Sequence, residues 1–387
     1  MMKPSLPFTL LRGGILYAPQ LQGKKDLLIA GDRIAWIEKE IEPPKELDVT
    51  VVDASHRSIV PGFIDLHVHL IGGGGEAAPA SRIPEVPFTS LIEAGITTVV
   101  GVLGTDNVTR SPEALLAKVK ALRAEGISAY MYTGSYHFPS VTITGSVKRD
   151  IALIEEVIGV KIAISDHRGS QLTVQELARL ASEARVGGML GGKPGIVHLH
   201  VGAGSRGLSP VLEVIEHTEI PIEQFLPTHV SRSASLLKQG IGLVKRGGYI
   251  DITAHSNAPE TVSIAKELKE SGVDLAKVTI SSDGNGSMPR FNDRGELIGM
   301  ATGDVSSLRR VLKSLLDSKI LTFSDALKLF TSNPADRLGL SDQKGRIQEG
   351  ADADLVILDE DLQIDQVFAK GQLMVDKGDA VVKGTFE

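Results

Sequence analysis

The feature that most restricts the fold of this chain is the way apolar runs alternate with amphipathic stretches through its middle. Eight runs lack the polar alternation of a half-exposed strand: GFIDLHVHL, ITTVVGVL, SAYMYTGSY, VKIAISD, GIVHLHVG, QFLPTHVS, GYIDITAH and KVTISSDG. Between them lie segments of helical period, such as SPEALLAKVKALRAEG, TVQELARLASEA and ETVSIAKELKESG. Strands that are apolar on both faces and alternate with helices are typical of buried parallel sheets.

The number of these strands indicates the architecture. Eight parallel strands with intervening helices close into a (β/α)8 barrel, so we predict an α/β fold with a TIM-like barrel over residues 61–341. The competing architecture is an open doubly wound sheet. No strand is followed by a convincing phosphate-binding G-x-G-x-x-G turn of the kind found in many such sheets, and this favours the barrel.

Both ends of the chain have a different texture. Residues 8–60 contain short runs of period two separated by Gly-Asp and Gly-Gly turns, and GADADLVILDEDLQIDQVFAKGQLMVDKG repeats this pattern near the carboxyl end. We therefore predict a small discontinuous β-sandwich domain that both termini form together, from residues 1–60 and 342–387.

Composition excludes several classes of function. A net charge of −7 disfavours nucleic acid as a partner, because phosphate binding needs a basic surface. No apolar run approaches the roughly 18 residues of a membrane span, so we expect no membrane partner and a cytoplasmic location. The absence of cysteine excludes disulfides, thiolate-ligated zinc and cysteine nucleophiles. Any bound metal would need ligands from His, Asp, Glu or Lys.

Ionisable or polar side chains stand near the carboxyl ends of seven predicted strands, where barrels place functional residues. A single strand histidine is usually a hydrogen-bonded core residue, but burying five or six such groups together costs several kcal/mol each unless they are paired or bind metal. Imidazole and carboxylate suit a divalent cation such as zinc. The residues are His67, His69, Tyr136, Lys161, His198, His200, His229, His255 and Asp283.

The run GGGGE directly follows the His67–His69 pair. Alternation along a strand places both imidazoles on one face. Glycine permits a sharp turn and leaves open space beside a bound metal, which would set Glu76 at the rim of that space. A flexible surface loop with an ordinary glutamate is the alternative interpretation of this stretch.

Taken together, these motifs resemble the amidohydrolase superfamily. The resemblance is carried by PGFIDLHVHL, the strand-four lysine, the later strand-end histidines, Asp283 and the tail GRIQEGADADLVILD. Within the superfamily, nearly the whole chain is similar to the isoaspartyl dipeptidases. The stretches with this similarity are HLIGGGGE, YTGSYHFPS, KIAISDHR, PTHVSR, SSDGNGSMP and VVKGTFE.

The resemblance implies a binuclear zinc hydrolase that cleaves the β-aspartyl (isoaspartyl) peptide bond of dipeptides by attack of a metal-bridging hydroxide. His67 and His69 would hold one zinc ion and His200 and His229 the other. Lys161 would be carboxylated and bridge the two ions. Asp283 would contact the metal and act as base and then acid, and Tyr136 would stabilise the oxyanion.

Charged residues near these positions suit the expected substrate. A β-aspartyl dipeptide carries one free ammonium and two free carboxylates, and arginine binds carboxylates through paired hydrogen bonds. Glu76 would pair with the ammonium, whereas Arg168, Arg232 and Ser287 would receive the carboxylates. The resemblance adds Thr105 and Gly74 to the substrate contacts. The sequence leaves open which arginine meets which carboxylate.

Two other functions remain open at this level. A cyclic amide hydrolase, such as a dihydroorotase or hydantoinase, shares the histidine pair and the bridging lysine but has less need of Glu76. Some relatives keep the barrel, lose the ligands and act as scaffolds. The resemblance also implies a homo-oligomer, with an octamer as one such assembly. His198 has no role implied by the family.

Overall fold

A computed structural model describes residues 8–43, 45–254, 258–291 and 297–387 of this chain. The amino-terminal part is built from strands, as its short apolar runs predict. Strand β1 pairs antiparallel with β2 and parallel with both β4 and β5. These strands are β1 Phe8–Tyr17, β2 Leu21–Ala30, β3 Arg33–Glu38, β4 Val49–Asp53 and β5 Ser58–Pro61.

Eight short strands follow, and all their residues are buried except Tyr130 of the third, which is half-buried. The first six form one parallel sheet in sequential order, and the last two pair in parallel with each other. The strands are β6 Phe63–Val68, β7 Ile96–Gly101, β8 Ser128–Gly134, β9 Val157–Ile164, β10 Ile196–Val201, β11 Phe225–Thr228, β12 Ile250–Thr253 and β13 Val278–Ser281.

The eighth strand lies beside the first. A parallel bridge joins Val68 to Gly284, and the His69 amide donates to the Gly284 carbonyl at 2.9 Å. Strand β12 in turn lies next to β11. This order is that of a TIM-like barrel and not that of an open sheet, so the predicted barrel is confirmed. Because parallel barrel strands end on one face, side chains far apart in sequence converge there.

Helices separate the strands and cover the barrel. The helix α4 begins with a capping box in which Thr173 and Glu176 exchange hydrogen bonds, as its sequence suggests. The helices are α1 Phe88–Glu93, α2 Pro112–Glu125, α3 Val147–Leu153, α4 Val174–Gly191, α5 Ser209–His217, α6 Ala234–Lys245, α7 Ala258–Glu270, α8 Ser307–Asp317, α9 Phe323–Lys328 and α10 Ser332–Leu338. Within the described ranges, no helix is both long and apolar enough to cross a membrane.

The carboxyl end returns to the amino-terminal strands. Strand β16 pairs with β5, so both ends of the chain contribute to one nine-stranded sheet. The remaining strands are β14 Ser287–Phe291, β15 Leu297–Thr302, β16 Leu355–Leu358, β17 Ile364–Ala369, β18 Gln372–Asp376 and β19 Asp379–Ala380. The joint origin of this sheet agrees with the predicted domain, whereas its description as a sandwich stays a prediction.

Candidate metal centre

The predicted ligands meet at the carboxyl end of the barrel. Three contacts surround the Asp283 carboxylate: His67 Nε2 and His69 Nε2 lie 3.3 Å from Oδ1, and His229 Nδ1 lies 4.0 Å from Oδ2. Lys161 Nζ lies 3.4 Å from His67 Nδ1. These residues come from strands β6 and β9 and from the ends of β11 and β13, so only closure of the barrel brings them together.

A left-handed backbone conformation orients two of these side chains. His229 has a φ of 61° and Asp283 a φ of 51°, both in the left-handed region that residues other than glycine rarely adopt. Such a conformation costs of order 1–3 kcal/mol and persists only where surrounding structure imposes it. Its presence at two predicted ligands, each directly beyond a barrel strand, is typical of a functional site.

Several polar atoms at this site are buried without a hydrogen-bond partner among the described residues. They include His67 Nε2, His69 Nδ1 and Asp283 Oδ1. His67, His229 and Asp283 each offer one ligand atom, and these three atoms lie within 4.8 Å of one another. Two imidazole nitrogens and a carboxylate oxygen form a donor set that suits zinc, and a cation would satisfy the unpartnered atoms. The residues therefore fit a metal.

Burial favours the uncharged forms of the site's nitrogen atoms. Desolvation, together with the charge of Lys161 and neighbouring histidines, holds the pKa of His67 and His229 well below the ordinary value. Burial lowers the pKa of His200 to about 3, although the hydrogen bond to Asp166 opposes the shift. Burial also lowers the pKa of Lys161 to about 7, against the attraction of Asp283. Neutral imidazoles carry the free lone pair that metal binding requires.

His200 occupies a different environment from the other predicted ligands. Its Nδ1 lies 2.6 Å from the Tyr136 hydroxyl, and its Nε2 lies 2.8 Å from Asp166 Oδ2. Both ring nitrogens therefore have partners, although the ring centroid lies only 4.7 Å from that of His229. If Nδ1 of His200 were to bind a metal, the Tyr136 hydroxyl would have to give up its hydrogen bond to this nitrogen and bond to another acceptor.

Three polar side chains surround the carboxylate of Glu76 and, together with it, form the rim of the site. Glu76 Oε1 accepts hydrogen bonds from Ser287 Oγ at 2.9 Å, Thr105 Oγ1 at 3.3 Å and Arg168 Nη1 at 3.4 Å. Four of the predicted substrate contacts therefore meet at one carboxylate. Arg232 is exposed, but its charge reaches the centre, where it contributes to the lowered pKa of His200.

The structure shows a second role for the glycine run that the sequence alone did not indicate. Gly72 and Gly74 have φ values of 78° and 81°, and an added Cβ would lie 1.9 Å from the Ile83 carbonyl oxygen and 2.2 Å from that of Ser81, respectively. These glycines therefore permit close packing of two backbone segments as well as the turn. Gly74 lies in the loop that carries Glu76, and its predicted contact with substrate stays a prediction.

Three polar residues of the centre had no predicted role. Asp166, directly after β9, accepts from His200 and holds Arg168 through Nε at 3.0 Å and Nη2 at 2.8 Å. Thr253 Oγ1 lies 2.7 Å from His229 Nδ1, and His198 contacts His67. The acid that follows an apolar run in AISDHR was the one available signal for Asp166. His255, noted at a strand end, lies outside the described residues.

Comparison with known proteins identifies the family. A model of the amidohydrolase family matches residues 58–386, which is most of the chain. This chain belongs to the amidohydrolase family. The resemblance to this family inferred from the motifs is thereby confirmed, and membership agrees with a TIM-like barrel whose strand ends hold a metal-binding donor set.

Solved structures of amidohydrolase relatives resemble the chain over nearly its full length. The beta-aspartyl dipeptidase of Fervidobacterium islandicum AW-1, in complex with the beta-Asp-Leu dipeptide, is 43% identical with a TM-score of 0.90. The similarity covers 96% of this chain and 98% of that one. A D-hydantoinase structure, 16% identical with a TM-score of 0.69, shares the fold.

Curated relatives in the family are more distant. The 5'-deoxyadenosine deaminase of Methanobrevibacter smithii is 27% identical, covering 87% of this chain and 80% of the relative. The dihydroorotase of Bacillus cytotoxicus is 25% identical over 86% of this chain and 84% of its own length. The resemblance to isoaspartyl dipeptidases is therefore strongest among these comparisons, and it supports a hydrolase.

Proposed function

We propose that this chain is a metal-dependent hydrolase that cleaves the β-aspartyl (isoaspartyl) peptide bond of dipeptides. The observation that carries the proposal is the 43% identity, over nearly the full length, to a beta-aspartyl dipeptidase in complex with beta-Asp-Leu. The cluster of Glu76, Arg168, Thr105 and Ser287 beside the candidate metal centre supports it, because these groups match the charges of such a dipeptide.

Two zinc ions would lower the pKa of a shared water toward neutrality and polarise the scissile carbonyl. The residues that would hold them are His67, His69, Lys161, His200, His229 and Asp283. The pKa of about 7 at Lys161 supports its carboxylation, because only a neutral amine adds to carbon dioxide. That addition forms one N–C bond and releases one proton.

The remaining steps use side chains of the chain itself. Asp283 would take a proton from the attacking water and deliver it to the leaving amine, as a base and then an acid. Tyr136, whose pKa burial raises well above the ordinary value, stays protonated and would donate to the oxyanion. Removing such a donor typically costs about 2.7–4 kcal/mol of barrier.

Substrate binding would use the rim. Glu76 would pair with the substrate ammonium, while Arg168, Arg232 and Ser287 would contact its carboxylates. Asp166 already occupies Nε and Nη2 of Arg168, so Nη1 is the nitrogen of this arginine left facing the rim. Gly74 and Thr105 would complete the contacts.

We further propose that the protein is a cytoplasmic homo-oligomer, such as an octamer. Each chain would have a barrel domain at residues 61–341 and a β-sandwich domain formed by residues 1–60 and 342–387.

The test is a comparison of isomeric substrates. Metal-replete protein should hydrolyse β-Asp-Leu and leave α-Asp-Leu intact. Dihydroorotate and hydantoin serve as the cyclic amide arm. The variant Glu76→Gln should lose most dipeptide turnover, because it removes the charge that pairs with the ammonium. Cleavage of α-Asp-Leu alone, or turnover of a cyclic amide that Glu76→Gln leaves unchanged, would refute the proposal.

A further inference from the structure

His198 is a buried histidine that the proposed mechanism does not use. It lies on β10 two residues before His200, so both side chains face the barrel interior, with His198 deeper. Its Nε2 lies 2.9 Å from His67 Nδ1. Its ring stacks on Tyr132 with centroids 4.7 Å apart and an interplanar angle of 21°. The orientation of this imidazole is therefore constrained from two sides.

The contact determines which nitrogen of His67 can bind a cation. A neutral imidazole donates from one nitrogen and accepts at the other. If His67 Nε2, which is buried without a hydrogen-bond partner, is to offer its lone pair, Nδ1 must carry the proton and needs an acceptor. Among the described residues, the two groups near Nδ1 are His198 Nε2 at 2.9 Å and Lys161 Nζ at 3.4 Å. The proposed carboxylation would make Nζ a carbamate N–H, whose delocalised lone pair does not accept a hydrogen bond. His198 Nε2 is the acceptor that remains.

The same reasoning fixes the proton on His198. When Nε2 accepts from His67, the proton of His198 stands on Nδ1. Burial and the charge of Lys161 hold the pKa of His198 well below the ordinary value, so the ring is neutral. The backbone of Leu226 opposes this shift, although Nδ1 makes no hydrogen bond among the described residues. A chain of two imidazoles therefore runs from β10 to the candidate metal centre, and partners of this kind commonly set the tautomer of a ligating histidine.

We propose that His198 is a positioning residue, which holds His67 in the tautomer and orientation that present Nε2 to a cation. The inference rests on the metal site of the proposed function, but not on the identity of the substrate. His198 is not itself placed as a ligand, because its Nε2 faces Nδ1 of His67, whereas Nε2 of His67 is the nitrogen that lies beside Asp283.

The experiment measures zinc affinity in three variants. His198→Leu removes the acceptor, and His198→Gln keeps an amide oxygen that can reach the position of Nε2. Tyr132→Phe is the control, since it retains the stacked ring and removes a hydroxyl from the same buried region of the barrel. Zinc dissociation constants are measured by competition with a chromogenic chelator, and melting temperatures are measured on metal-free protein.

Loss of this partner should weaken zinc binding by about 10–100-fold in His198→Leu, with recovery of most of that loss in His198→Gln and no change in Tyr132→Phe. Wild-type affinity in folded His198→Leu would overturn the inference. Equal weakening in the Leu and Gln variants, accompanied by equal falls in the metal-free melting temperature, would also overturn it, because that pattern indicates a packing role.

The experiments distinguish a failure of this inference from a failure of the proposed function. Zinc-loaded wild-type protein that leaves β-Asp-Leu intact would contradict the proposed substrate, whereas the affinities of the His198 variants would still support or overturn the positioning role. Wild-type protein that binds no zinc would overturn both.

Discussion

Asp166 joins the candidate metal centre to the rim through a single carboxylate. Burial alone would raise its pKa, but hydrogen bonds from His200 and Arg168 outweigh that effect and hold the pKa well below the ordinary value. The carboxylate therefore stays charged and orients both partners at once. A histidine of the centre and an arginine of the rim cannot move independently while both hold Asp166.

At the scale of single residues, the first prediction concerns Lys161 and its effect on bound zinc. We expect Lys161→Ala to lose bound zinc, because the proposed function assigns a carbamate ligand to Lys161 and the other described side chains of the cluster carry no primary amine. Short-chain carboxylic acids should restore part of the zinc, since the truncated side chain leaves room for a small carboxylate. The measurement is metal content before and after adding acetate or propionate.

Lys161→Met is the matched control for this experiment. Methionine fills the same volume without an amine, so zinc should be lost and the acids should not restore it. Wild-type zinc content in Lys161→Ala would contradict the bridging role.

At the scale of elements, the guanidinium of Arg110 holds the loop between β6 and α1 in place through hydrogen bonds. Arg110 is buried, and it donates from Nε to the Ile71 carbonyl at 3.1 Å and from Nη2 to the Ile83 carbonyl at 3.0 Å. Its Nη1 pairs with Asp106 at 3.0 Å. These two carbonyls lie on either side of the glycine run and Glu76, so Arg110 ties together both ends of the segment that carries the rim carboxylate.

We expect Arg110→Ala to misplace Glu76 while the metal ligands stay in position. Since a displacement of 1 Å can cost about 100-fold in rate, kcat/KM for β-Asp-Leu should fall by up to that factor. Zinc content should remain at the wild-type level. Steady-state kinetics together with metal analysis test this expectation.

Arg82→Ala is the matched control, because Arg82 also approaches Asp106, at 3.9 Å, but is largely exposed. It should change kcat/KM little. If Arg110→Ala keeps wild-type kcat/KM, the loop does not depend on this arginine.

At the scale of the whole molecule, a buried ion cluster lies where the chain passes from the last barrel helix to the nine-stranded sheet. Lys344, beyond the last helix α10, is buried and contacts the carboxylates of Asp352 and Asp354, the latter at 2.6 Å. Arg33 of β3 contacts Asp352 at 2.6 Å. Burial lowers the pKa of Lys344, but the attraction of the two carboxylates outweighs this and leaves the pKa raised. The lysine is therefore charged at neutral pH.

Lys344→Met should lower the free energy of unfolding by about 3–5 kcal/mol, because removing one partner of a buried ion pair leaves the other charge uncompensated. Denaturant unfolding measures this change. The exposed Lys120, replaced by methionine, is the control and should alter stability by less than about 0.5 kcal/mol. Equal stability of the two variants would show that the cluster does not hold the molecule together.

The elements and the location of the site could be predicted from sequence to a large extent. Strand and helix periods are local: the segment SPEALLAKVKALRAEG contains helix α2, and helix α4 begins in TVQELARLASEA and continues to Gly191. The predicted positions of His67, His69, His229 and Asp283 required only one further rule, that parallel barrel strands end on one face. The structure places these four side chains together.

The partners within the site could not be predicted in this way. The Tyr136–His200, Asp166–His200 and His198–His67 contacts depend on rotamers and on distances between residues 34 to 131 positions apart. The cluster of Thr105, Arg168 and Ser287 around the Glu76 carboxylate likewise joins segments that are far apart in the sequence. No local period encodes such distances, because they follow from how closely the strands pack.

The sequence by itself determined which segments become strands, which residue types stand at their ends and hence that a cation-binding donor set is available. Only the tertiary structure decided which histidine nitrogens have hydrogen-bond partners, which arginine nitrogens are already occupied, and that His198 contacts His67. The physical reason is that residue type and periodicity are properties of a short segment. The direction of a hydrogen bond, in contrast, exists only once both partners have been brought within about 3 Å by the closed barrel.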